Sequence, residues 1–120
     1  WGKIGLTICY DLRFPNLYRK LSKQGSIFLA VPSAFTETTG KRHWHSLLKA
    51  RAIENFCYIF APAQAGKHYN GRKTFGNSLI VSPDGKILKS LNKKEGVITT
   101  SIDPSLPKKL RTIIPSLKND

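Results

Sequence analysis

The sequence predicts an α/β fold, and three observations carry that prediction. Short apolar runs of strand length recur along the chain. Two stretches of helical period separate the first three of them. A Pro-Asp-Gly turn then joins two further runs. The resulting order is β-α-β-α-β-β-β-α, with no internal repeat and no linker. A chain of 120 residues, 40% of them hydrophobic, is long enough to build one core, so residues 1–120 read as one unit.

Each element has its own warrant. Residues 3–9 alternate through Ile4, Leu6 and Ile8 as a strand does, up to a polar break at Asp11. Pro15 suits the first position of a helix, Leu17, Tyr18 and Leu21 share one face of it, and Gly25 closes it. Residues 27–31 form a continuous apolar run, as in a strand covered on both faces. Residues 32–40 read as a polar loop. Residues 41–55 have helical period, with Trp44, Leu47, Leu48 and Arg51 on one side. Residues 58–61 are a second buried-type strand. A Gly-, Lys- and Asn-rich stretch, 64–73, reads as loop. Residues 78–81 and 86–91 flank Ser82-Pro83-Asp84-Gly85 as a hairpin. Residues 96–102 read as another strand, and 104–114 as a short helix stopped by Pro115. Two or three helices are too few to cover up to six strands, so the sheet is expected to expose a face or an edge.

Composition narrows the function classes. Twenty Lys+Arg against seven Asp+Glu give a net charge of +13, which raises the question of nucleic acid. The basic residues are scattered, however, with only pairs such as Lys41-Arg42 and Lys93-Lys94. Lys outnumbers Arg 14 to 6, where phosphate and base recognition favour the Arg fork. A solvated lysine-rich surface is the better reading, with no specific nucleic-acid partner. No apolar run reaches membrane-span length, so no membrane partner is expected. Two cysteines do not make a disulfide scaffold, and they point to a reduced, cytoplasmic setting. The chain opens on Trp1 and contains no Met, which suggests a piece of a longer protein.

Cys9 is the leading candidate for chemistry. It ends an apolar strand just ahead of a helix, where a strand-to-helix turn lifts a nucleophile out of the sheet. Backbone N–H groups at such a turn can activate a thiol and receive an oxyanion. The plainer alternative is a small buried cysteine at a strand end. Cys57 has no such turn and reads as core. His43, His45 and His68 are candidate bases, but His43 and His45 lie two apart on a helix and point in opposite directions. That spacing and the lack of a third ligand argue against a metal site. Glu54 is another candidate base, but it lies about one turn from Arg51 and the plainer reading is a packing ion pair.

The residues around Cys9 also resemble a known family. Gly5-Leu6-Thr7-Ile8-Cys9-Tyr10-Asp11-Leu12-Arg13-Phe14-Pro15 is similar to the nucleophile segment of the nitrilase, or carbon-nitrogen hydrolase, superfamily. The resemblance continues through Pro32-Ser33-Ala34-Phe35-Thr36, Thr39-Gly40, His43-Trp44 and Leu48-Lys49-Ala50-Arg51-Ala52-Ile53-Glu54-Asn55. Gly76-Asn77-Ser78 and Pro83-Asp84-Gly85 match its late hairpin. The segment from Ala63 to His68 with the basic loop to Arg72 looks most like the deaminated-glutathione amidase branch, with the ω-amidase branch close behind.

The resemblance implies the C-terminal half of a four-layer α-β-β-α sandwich, and a Glu-Lys-Cys triad. Cys9 would be the nucleophile of an amidase that needs no cofactor and no metal. The Tyr10 backbone N–H would be one oxyanion donor. Asp11 and Arg13 would hold the turn, Ala34 and Phe35 would flank the substrate, and Arg51 and Glu54 would support the site. The expected ligand is a small-molecule amide. The helix after Cys9 and the one around 43–55 would form the face of a homodimer in the full-length protein. The family's Glu and Lys precede its Cys, whereas only eight residues precede Cys9, without Glu and with only Lys3, which lies in the strand. These 120 residues are therefore expected to be about half of a domain, inactive and poorly folded alone.

Overall fold

The computed structural model describes residues 1–120. Seven strands and four α-helices follow the chain in this order: β1 (Lys3–Leu6), a 3-10 helix (Cys9–Arg13), α1 (Pro15–Lys23), β2 (Ser26–Ala30), α2 (Glu37–Asn55), β3 (Tyr58–Ala61), β4 (Ala65–Lys67), β5 (Lys73–Phe75), β6 (Leu79–Val81), β7 (Ile87–Ser90), α3 (Leu106–Ile113) and α4 (Ser116–Asn119). Five strands form one mixed sheet in the order β1-β2-β3-β6-β7. β1, β2 and β3 run parallel, joined by the two helical crossovers, and β6 and β7 continue antiparallel. β4 and β5 form a separate two-stranded hairpin.

The pleat divides the sheet residues between two faces. Gly5, Leu29, Ile59 and Val81 are register partners across four strands and face α1 and α2. A Cβ on Gly5 would sit 2.9 Å from Leu29 and 3.0 Å from Leu21 of α1, so only glycine lets helix and strand approach this closely. The core on this side gathers Leu12, Tyr18, Leu29, Val31, Trp44, Leu48, Ile59 and Val81. On the other face Phe28 packs its ring against Tyr58 and Phe60, at centroid distances of 6.0 and 5.9 Å. Next to them Ile4, Leu6 and Ile8 stand 52%, 73% and 65% exposed, so the expected uncovered face lies over β1.

The structure departs from the sequence reading in five places. The first strand ends at Leu6 rather than at Cys9, because the Ile8 N–H is taken by the Asp11 carboxylate at 2.9 Å and the chain turns into the 3-10 helix. α2 starts at Glu37, four residues early, after Thr36 and Thr39 join their hydroxyls at 2.8 Å. The 64–73 loop contains β4 and leads into β5, so it is a hairpin. Residues 96–102 form no strand; Gly96, Val97 and Ile98 instead wall a cavity of about 290 Å³ against Phe60, Leu79 and Ile80. The last helix is cut to Leu106–Ile113 and a further turn, α4, follows Pro115.

One core contact has a measurable pH signature. Tyr18 is fully buried, and its hydroxyl lies 2.7 Å from Thr7 Oγ1, tying α1 to the chain just after β1. Burial pushes the phenol up to about 12, against the opposing pull of the Thr7 hydrogen bond. A raised folded value means the neutral phenol is favoured by folding. Its contribution is whole below about pH 10, the ordinary tyrosine value, and is lost as pH climbs through 12. Denaturation curves of the wild type should lose roughly 2–3 kcal/mol more than those of Tyr18→Phe between pH 10 and pH 12. Parallel losses in both proteins would contradict this account.

Candidate functional site

The site is built where three segments meet at the C-terminal ends of the parallel strands, the usual place for a ligand in an open α/β sheet. The first segment carries Cys9. Its N–H donates to the Pro32 carbonyl at 2.8 Å, and its φ is +45°, a region that non-glycine residues enter rarely. The next N–H but one, of Asp11, donates to the Ile8 carbonyl at 3.0 Å. Between them the Tyr10 N–H has no acceptor within the chain. Asp11 closes the turn from the other side by accepting the Ile8 N–H.

The second segment is the loop after β2 and the start of α2. It brings Ala34, Phe35, Thr36 and Thr39 to the same pocket. Phe35 is wedged in place by Trp44, whose ring lies 5.0 Å away and whose indole N–H donates to the Asn77 carbonyl at 2.8 Å. The third segment is the β4–β5 hairpin, which contributes Arg72. Together Cys9, Tyr10, Arg13 and these residues line a pocket of about 220 Å³. Its walls hold no carboxylate and no lysine.

Arg13 extends over the Phe35 ring at 5.2 Å and the Tyr10 ring at 5.9 Å, with Nη1 3.2 Å from His43 Nδ1. Behind the pocket Arg51 is 5% exposed. Its Nε and Nη2 both donate to the Leu12 carbonyl, at 3.1 and 2.9 Å, while Nη1 pairs with Glu54 at 3.1 Å. An arginine of α2 thus grips the 3-10 helix that begins with Cys9. No group of three His, Cys, Asp or Glu residues could hold a metal ion.

A family model described as carbon-nitrogen hydrolase matches residues 1–112. The chain belongs to the carbon-nitrogen hydrolase family. It is 52% identical over 119 residues to the deaminated glutathione amidase of Synechocystis sp., covering 99% of this chain but 44% of that protein. The NitFhit protein of C. elegans superposes with a TM-score of 0.96 at 42% identity, covering 99% of this chain and 29% of that one. A mutant amidase from Nesterenkonia sp. AN1 matches 78% of the chain and 35% of its own, with TM-score 0.69 and 31% identity. In that enzyme the acetamide moiety of fluoroacetamide is added covalently at the active-site cysteine. The chain spans less than half the length of each of these three relatives. Its fold matches that of nitrilase-superfamily structures, as expected from the sequence.

In this carbon-nitrogen hydrolase chain the expected residues separate into two groups. Cys9, Tyr10, Arg13, Ala34 and Phe35 share one pocket. Asp11, Arg51 and Glu54 stand outside it and brace its frame. Cys57 is fully buried in the core, as its sequence context suggested, and desolvation pushes its thiol up. No histidine hydrogen-bonds to the Cys9 sulfur. His43 meets Arg13, His68 Nε2 lies 2.8 Å from Thr74 Oγ1, and His45 lies edge-on to Phe75. Thr36, Thr39 and Arg72 were not singled out as pocket residues by sequence. The Thr36-x-x-Thr39 spacing at the start of α2 was a usable signal for the first two; nothing local marked Arg72.

The helices also answer the membrane question in one respect: none is long and apolar enough to cross a bilayer.

Proposed function

We propose that this segment carries the nucleophile of an amidase that opens amide C–N bonds through a thioester on Cys9. The Cys9 sulfur attacks the amide carbonyl and an S–C bond forms. The C–N bond breaks and ammonia leaves with a proton. Water then hydrolyses the thioester, giving a carboxylate and the free thiol. The Tyr10 N–H is the donor for the oxyanion of both tetrahedral intermediates. The single observation that carries this reading is the turn at Cys9, strained at φ +45° and followed by an unpaired N–H, on the wall of a pocket.

The relatives support the substrate class. The Synechocystis protein named deaminated glutathione amidase suggests deaminated glutathione or a similar ω-amide. The covalent adduct on the Nesterenkonia amidase cysteine supports a nucleophilic role for Cys9. The reading also calls for a Glu base and a Lys oxyanion donor, and none lines this pocket from residues 1–120. These residues alone therefore turn over no amide at a measurable rate. In protein that includes the family's Glu and Lys, an acid quench after mixing with deaminated glutathione should leave an acyl group on the Cys9 peptide by mass spectrometry, with ammonia released in step. Turnover with Cys9 unmodified, or with the acyl group elsewhere, would overturn the mechanism.

A further inference from the structure

We propose that Arg72 is a specificity-determining residue, whose guanidinium receives a carboxylate carried by the amide substrate. The inference rests on the reading of Cys9 as nucleophile and deepens it, because it names the residue of this chain that receives the substrate's carboxylate.

Two guanidiniums line the Cys9 pocket, and no carboxylate from residues 1–120 answers them. They are not equivalent. Arg13 is committed to His43 and to the faces of Tyr10 and Phe35. Arg72 makes one side-chain hydrogen bond, from Nη2 to the Ala34 carbonyl at 3.3 Å, and no salt bridge. A guanidinium has five N–H donors in a planar fork matched to a carboxylate, so most of the fork is free.

The backbone beneath Arg72 is a built turn. Its N–H donates to Asn70 Oδ1 at 3.0 Å, and its carbonyl accepts the His68 N–H at 2.8 Å. The Gly71 N–H donates to the His68 carbonyl at 2.9 Å, and Gly71 takes φ +82°, which glycine adopts without strain. The hairpin is fastened to the site itself, since Thr74 bridges to Thr36 and the Phe75 N–H donates to the Phe35 carbonyl at 2.9 Å. The Ala34 carbonyl then aims the fork along the pocket wall. An unpaired cation on a fixed arm beside a nucleophile attracts and orients an anionic electrophile.

Two alkylating agents of nearly equal size and different charge test this on the protein that includes the family's Glu and Lys. Iodoacetate is anionic and iodoacetamide neutral; with each, the Cys9 thiolate displaces iodide and an S–C bond replaces the C–I bond. Peptide mass spectrometry reads Cys9 apart from the buried Cys57. Arg72→Gln should lower the ratio of the iodoacetate rate to the iodoacetamide rate by roughly 3–10-fold, and Arg72→Lys should keep most of it. Lys118→Gln on α4 removes the same net charge at a distance and should leave the ratio within about 1.5-fold. Independently of any variant, succinate should slow iodoacetamide at wild-type Cys9, where chloride of equal ionic strength does not. An unchanged ratio in Arg72→Gln, an equal fall in Lys118→Gln, or no protection by succinate would each overturn the role of Arg72 while leaving Cys9 as nucleophile. A Cys9 inert to both reagents would overturn both readings.

Discussion

Cys9→Ala should abolish amide turnover in the protein that carries the family's Glu and Lys, with kcat/KM falling by at least ~10³–10⁵-fold and no acyl-enzyme trapped. The size follows from the role. A nucleophile cannot be replaced by its surroundings, so oxyanion stabilisation and substrate binding are all that remain. The backbone makes the variant informative, because a cysteine at φ +45° is strained with or without its sulfur. Alanine keeps that strain and removes only the thiol, so the fold and its melting should hold. Cys9→Gly should be more stable than Cys9→Ala by about 0.5–1 kcal/mol and equally dead, because glycine takes the left-handed region freely. Stability and activity would then move in opposite directions at one residue, the behaviour expected where strain serves a reaction. Substantial turnover by Cys9→Ala would rule out the covalent route.

Much of this was legible in the sequence, and particular residues show why the rest was not. The parallel strands were readable because the runs at 27–31 and 58–61 have no polar interruption, α1 carries a clear apolar face, and Trp44, Leu47 and Leu48 mark a helical period in α2. The segment around Cys9 stood out through its resemblance to a family's nucleophile segment, since its place ahead of a Pro-initiated helix also suits a small buried cysteine. The β4–β5 hairpin was not. Its paired residues include Gly66 with Thr74 and Lys67 with Lys73, which offer no apolar alternation. It forms because tertiary contacts dictate it: the bridge from Thr74 to Thr36, and Phe75 seated on Gly40, where a Cβ would fall 2.4 Å from the Phe75 Cβ. Local pattern also failed at 96–102, which pairs with no strand: Val97 stays largely exposed, and it and Ile98 only wall the cavity over Phe60, Leu79 and Ile80. Arg72 reaches the site only through that same hairpin, so its place depended on a contact no local window contains.

The second large effect belongs to Arg51, and it couples stability to the site. Arg51→Ala should cost about 3 kcal/mol in chemical denaturation, from three sources of unequal size. The Leu12 carbonyl loses both N–H donors, at 3.1 and 2.9 Å, in a place where Leu12 itself is fully buried. The guanidinium also leaves the Tyr18 ring, 5.6 Å away, and the packing of its stem is lost. The Glu54 pair is the smallest part, because that carboxylate is 31% exposed and water replaces its partner. Glu54→Gln should accordingly cost under about 1 kcal/mol. Arg51→Lys should recover less than half of the loss, since an ammonium cannot place two donors on one carbonyl and a third on Glu54. Loss of this grip frees the 3-10 helix that starts at Cys9, so the same variant should slow Cys9 alkylation relative to wild type even under conditions where it remains folded. If Arg51→Ala melted like wild type and left Cys9 equally reactive, α2 would not be what holds the nucleophile turn. The turn would then rest on Asp11 and the Cys9-to-Pro32 hydrogen bond alone, and Asp11→Ala would become the damaging substitution.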